Sequence, residues 1–181
     1  MNRKKILFTT AACICLLSIV ANPVKAQQRP KMNMDDFRPA IGCTWKGELT
    51  YLDYSSGKAY TMPAHIVLLI NRQNPAELLV NYKYPDEPKA DNADSLLISS
   101  NSTKQLLGEE EVISATRDGK GNAEIVTEIA GIDGNDNRKC LIRHRYIIGV
   151  KAMSIRKEVR FDGEEKFILR NEYKMTARDC Q

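Results

Sequence analysis

The sequence predicts an all-β fold: a single antiparallel up-and-down barrel of about 8–10 strands. Three observations lead there. From Trp45 onward apolar and polar residues alternate with period two, the alternating runs are short and separated by turn chemistry, and almost no stretch sustains a helical period long enough to compete. A two-sheet sandwich is the alternative architecture. Closure is preferred because it removes the two exposed edges that a sequential meander would otherwise present.

In chain order the predicted strands fall near 44–54, 60–71, 77–84, 94–99, 103–107, 111–117, 123–131, 138–148, 152–161 and 166–176. Between them lie Ser55-Ser56-Gly57, Asn74-Pro75, Asp118-Gly119-Lys120-Gly121-Asn122, Asp133-Gly134-Asn135-Asp136-Asn137 and Asp162-Gly163. Asn, Asp and Gly tolerate the positive φ that tight hairpin turns require. Around Tyr84-Pro85-Asp86-Glu87-Pro88 two prolines forbid a regular ladder, and a longer loop is expected through Asn92. Residues 27–41, with Met32, Met34 and Phe37, form either a loose leader or a short helix covering a barrel end.

Ahead of this segment, Arg3, Lys4 and Lys5 precede an apolar run from Ile6 to Val20, followed by Val24-Lys25-Ala26. That is the pattern of a secretory signal peptide spanning residues 1–26, with cleavage after Ala26. The apolar run is shorter than the ~20 residues of a spanning helix, and no transmembrane segment is expected in the mature chain. The expected location is periplasmic or extracellular, with lipid anchoring through Cys13 or Cys15 as the lesser alternative. The whole chain has 181 residues, with 27 Lys and Arg against 23 Asp and Glu. The leader holds Arg3, Lys4, Lys5 and Lys25 and no acid, so its removal leaves bases and acids equal in number. The basic balance thus resides in the leader and gives no support for nucleic-acid binding. Residues 42–181 form one barrel domain, expected to be a monomer.

Closure brings the start of the first strand beside the end of the last. Cys43 and Cys180 occupy those two ends, so a disulfide between them is predicted, with Cys140 left free. The only tryptophan, Trp45, opens the first strand and is expected to plug that end of the barrel.

Strand parity supplies candidate interior residues. One face carries Cys140, Ile142, His144, Tyr146 and Ile148; the next Met153, Ile155, Lys157, Val159 and Phe161; the last Phe167, Leu169, Asn171, Tyr173 and Met175. Leu49 and Tyr51 share the parity of Trp45, and Leu78, Val80, Tyr82 and Tyr84 share one face of the third strand. Aliphatics and tyrosines with His144, Lys157 and Asn171 among them make a mostly apolar interior with a few polar groups, the usual composition of a ligand pocket. The candidate ligand contacts are Leu49, Tyr51, Tyr82, His144, Tyr146, Lys157, Phe161, Asn171 and Tyr173. A filled core with a satisfied polar network is the competing reading.

The residues Gly42-Cys43-Thr44-Trp45 at the head of the first strand resemble the opening of the lipocalin-like barrels of the calycin superfamily, one residue longer than their Gly-x-Trp pattern. The resemblance covers roughly residues 42–178 and is one of architecture. It implies a basic residue of the last strand over the indole, Arg170 or Arg178 here, and an apolar small molecule in the interior. The nitrobindin-like haem barrels are a related possibility, with His144 as the only equivalent of their iron ligand.

Other patterns carry less. Asp133, Asn135 and Asn137 mimic the start of a calcium loop, but Arg138 stands where the glycine would be, so a hairpin turn is expected. Glu109-Glu110-Glu111 reads as a solvated edge or loop. No phosphate loop, hydrolase triad motif or CxxC pair is present in the sequence. The functional expectation is therefore an exported protein that holds an apolar or amphipathic small molecule, without catalysis and without a cofactor. A filled barrel acting through its surface is one alternative; a haem protein or enzyme using His144 is the other.

Overall fold

The computed structural model describes residues 30–53, 55–105 and 108–180. The expected leader through Ala26, with Cys13 and Cys15, lies outside them. Ten strands follow in order: β1 (Thr44–Asp53), β2 (Lys58–Asn71), β3 (Asn74–Lys83), β4 (Asn92–Ile98), β5 (Ser102–Gln105), β6 (Gly108–Arg117), β7 (Ala123–Asp133), β8 (Arg138–Ile148), β9 (Ala152–Phe161) and β10 (Ile168–Arg178). Each pairs antiparallel with the next, and β10 returns to β1, so the sheet is a closed up-and-down barrel.

The predicted elements are all present, with shifted boundaries. Asn74-Pro75, expected as a turn, begins β3 instead. The turn falls at Arg72 and Gln73, where the Gln73 amide donates to the Asn71 side chain. Pro75 tolerates this because the missing N–H costs little at a strand start. β6 starts at Gly108, so it absorbs the acidic triplet expected to be a solvated edge or loop.

Closure places Thr44 opposite Arg178 and Tyr51 opposite Asn171, with β1 and β10 paired throughout the interval. Cys43 and Cys180 form a disulfide just beyond the paired residues. Cys140 is free and buried, and burial pushes its thiol pKa up.

The first barrel end is closed by the segment before β1. Two single 3-10 turns, Met34–Asp36 and Arg38–Ala40, tuck Met32, Phe37 and Ala40 into the core beside Trp45. Trp45 is fully buried, and its indole N–H donates to the Ala40 carbonyl at 2.8 Å. Arg117 fastens the outside of this plug through two bonds to Asp36, at 2.5 and 2.6 Å, and one to the Lys31 carbonyl. Gly42 then turns the chain into β1 at φ 78°, a conformation that favours glycine. Of the two expectations for this segment, a cover is what forms, in 3-10 turns instead of an α-helix.

Neither Arg170 nor Arg178 lies over the indole, which corrects the plug assignment for both. Arg178 is exposed, on the parity opposite to Met175 and Ala177. Arg170 is buried towards the opposite end of β10, where its guanidinium meets Asp133 at 2.8 Å and Asp136 at 2.7 Å. The N-terminal turns supply the cover that an arginine was expected to give.

Parity itself breaks in β10. Between Leu169 and Asn171 the register against β9 shifts by one residue, so Leu169 faces with Glu158 while Asn171 faces with Lys157. The bulge turns Arg170 inwards and leaves Phe167 and Leu169 on the outside, where Arg143 stacks 3.7 Å from the Phe167 ring centroid. Both residues were expected to face inwards. The alternation rule counts one residue per pleat and cannot register an inserted one.

Candidate functional site

The barrel interior is divided by chemistry. One wall, from β2, β3 and β4, is aliphatic, with Leu68, Leu78, Val80 and Leu96. The other is crossed by a polar row. Asn171 on β10, Lys157 on β9, His144 on β8 and Thr127 on β7 are directly opposed from strand to strand. Because facing residues in adjacent strands share a side of the sheet, four separate stretches of sequence bring four polar groups to one level.

Glu110 completes this row from β6. It has no exposed surface, and its carboxylate accepts from Thr127 Oγ1 at 2.5 Å and faces His144 Nδ1 at 2.9 and 3.0 Å. A buried carboxylate needs such compensation. One hydroxyl and one imidazole supply it here. The acidic triplet is therefore not uniformly solvated as expected: Glu109 and Glu111 are exposed, and Glu110 points into the barrel. Its signal was available in the parity it shares with Val112, an inward apolar residue.

Next to this group the Gln105 amide donates to the Tyr146 hydroxyl at 2.7 Å. Burial holds Tyr146 un-ionised well above its ordinary pKa. Tyr84 and Tyr173 join their hydroxyls at 2.7 Å, and the rings of Tyr82 and Tyr173 lie 5.2 Å apart. Burial also raises the pKa of Tyr82 and Tyr173. Tyr82, Tyr146 and Tyr173 are thus neutral donors or acceptors at physiological pH.

These walls enclose a cavity of about 310 Å³, lined by Tyr82, His144, Tyr146, Lys157, Asn171 and Tyr173 among the residues predicted from sequence. A second cavity of about 440 Å³ towards the unplugged end is lined by Leu49 and Tyr51, together with Arg170 and, again, Lys157 and Asn171. Lys157 and Asn171 therefore stand where the two spaces adjoin. Phe161 is placed differently from expectation: it lines neither cavity, and packs with Cys140, Ile142 and Val159 beneath the guanidinium of Arg138 at 3.8 Å.

The part of β4 before Leu97 runs beside β3. Asn92, Asp94 and Ser95 line the cavity along that stretch. These three, with Gln105 and Thr127, escaped sequence reasoning, because none sits in an apolar alternation strong enough to mark it as interior.

No protein-family model and no curated protein matches the chain. Its class is therefore defined by architecture and site: a closed ten-strand antiparallel barrel with a plugged end, a disulfide across its closure and an amphipathic interior.

Proposed function

We propose that this chain is an exported barrel of the lipocalin-like kind that holds an apolar or amphipathic small molecule in its interior, without catalysis. The observation that carries this reading is the cavity of about 310 Å³ with one aliphatic wall and one polar row. Its volume lies at the lower end of the ~300–1,000 Å³ typical of small-molecule sites. That favours a single-chain or one-ring ligand over a macrocycle, and so weighs against haem at His144. A barrel filled by its own side chains would leave no such space. Export is supported by the signal-like leader and by the Cys43–Cys180 disulfide, which suits an oxidising compartment.

The test is native mass spectrometry of the mature protein from a bacterial periplasm, before and after extraction with organic solvent. A reproducible mass excess that disappears on extraction is the expected result. A bare mass together with no uptake of a fluorescent apolar probe would overturn the carrier reading. A Soret shift on haem addition that is lost in His144→Ala would replace it with the haem reading.

A further inference from the structure

Lys157 is a cation placed inside the barrel wall, half-buried, between His144 on one side and Asn171 on the other. The other charged groups around it have partners of their own, Asp53 on the second cavity accepting from Ser55 and Ser56. Arg170 is paired with Asp133 and Asp136, and Glu110 is held by His144 and Thr127. Asp94 is at the exposed edge of the cavity and accepts from the Ser95 amide. Among the described residues Lys157 has no ion-pair or hydrogen-bond partner of its own. A charge partly withdrawn from water is unfavourable without a counter-charge, and an interior ammonium lining a cavity invites one from a ligand.

We propose that the ligand is an amphiphile with a carboxylate head, seated on Lys157 and Asn171, its tail lying along the aliphatic wall of Leu68, Leu78, Val80 and Leu96. This inference rests on the carrier reading and adds the chemistry of the ligand to it. Lys157 and Asn171 are direct cross-strand partners, whose Cβ atoms therefore lie about 5 Å apart. A planar carboxylate can span that separation, taking one oxygen to the ammonium and the other to the side-chain amide. One lysine balances one negative charge, so a monoanionic head suits the seat better than a dianionic phosphate. The position of Lys157 and Asn171 at the junction of the two cavities lets the tail enter the plugged half while the head stays near the second cavity.

The experiment compares decanoate with 1-decanol by calorimetry at pH 8 on the mature, disulfide-intact protein, because the two share a tail and differ in the head. The wild type should bind decanoate roughly tenfold more tightly, as expected for a hydrogen bond to a charged group. Lys157→Met should abolish the preference and retain decanol, and Lys157→Arg should restore much of it. Equal affinities in the wild type, a comparison that needs no variant, would overturn the carboxylate seat and leave the carrier reading standing. A preference that survives Lys157→Met would also overturn it. Binding of neither compound would sink both readings.

Discussion

Glu110 shows how one side chain can be misjudged by its neighbours. Its carboxylate is the buried centre of a group that includes Thr127 and His144, whereas Glu109 and Glu111 on either side reach water. Removing it strands an imidazole and a hydroxyl in a dry site and opens a small void. Glu110→Ala should therefore cost about 2–4 kcal/mol, measured by urea unfolding, because an abandoned buried partner is far more expensive than a lost surface contact. Glu111→Ala should fall within about 0.5 kcal/mol of wild type, as exposed substitutions usually do. If the two variants were equally stable, the buried group would have no energetic significance. At this scale much of the site was legible: Tyr82, His144, Tyr146, Lys157, Asn171 and Tyr173 all meet around one cavity, because alternation projects them to one side of paired strands. Glu110 was hidden by a run of like charges, and Phe161 was misplaced because parity gives the inner face of a strand without saying which inner residues border a void.

Among the elements, the seam between β1 and β10 is the most demanding. Gly47 lies opposite Met175, and a methyl group placed there would come within 2.0 Å of the Lys174 carbonyl oxygen, a backbone atom that cannot swing away. Gly47→Ala should thus push the closing strands apart and destabilise the barrel by at least about 1–3 kcal/mol, as overpacking does. A thermal melt unchanged from wild type would contradict that approach distance. Strand existence was the most readable feature of this sequence, since ten alternating runs became ten strands. The bulge at Arg170 was not readable, because it arises where a residue with long-range partners on the β7–β8 turn is drawn inwards, and those partners are remote in sequence. The plug was anticipated only as one of two possibilities. Its fastening by Asp36 and Arg117 joins residues that no local pattern connects.

For the whole molecule, the buried phenols tie stability to alkali. Tyr82, Tyr146 and Tyr173 have folded pKa values raised by burial, so the native state keeps protons that the unfolded chain would release. Their contribution is fully present below the unfolded tyrosine value of about 10 and is lost as pH rises beyond it. Absorbance near 295 nm should therefore show these three ionising together with loss of the circular-dichroism signal, after the more accessible tyrosines have titrated. Smooth independent titration with the fold intact would contradict their burial. Closure was legible from one consideration, that the cysteines at 43 and 180 flank the ends of an unbroken meander, and the disulfide lies there. That bond has a further consequence for the topology of the backbone. Residues 43–180 form a covalent loop in which the hydrogen-bonded ring of strands is matched by a ring of chemical bonds. The loop has no free end, so a single protease cut in any of its hairpin turns linearises it without dividing the molecule. The N-terminal plug hangs from this circle as a branch, joined at Cys43 beside the seam it covers.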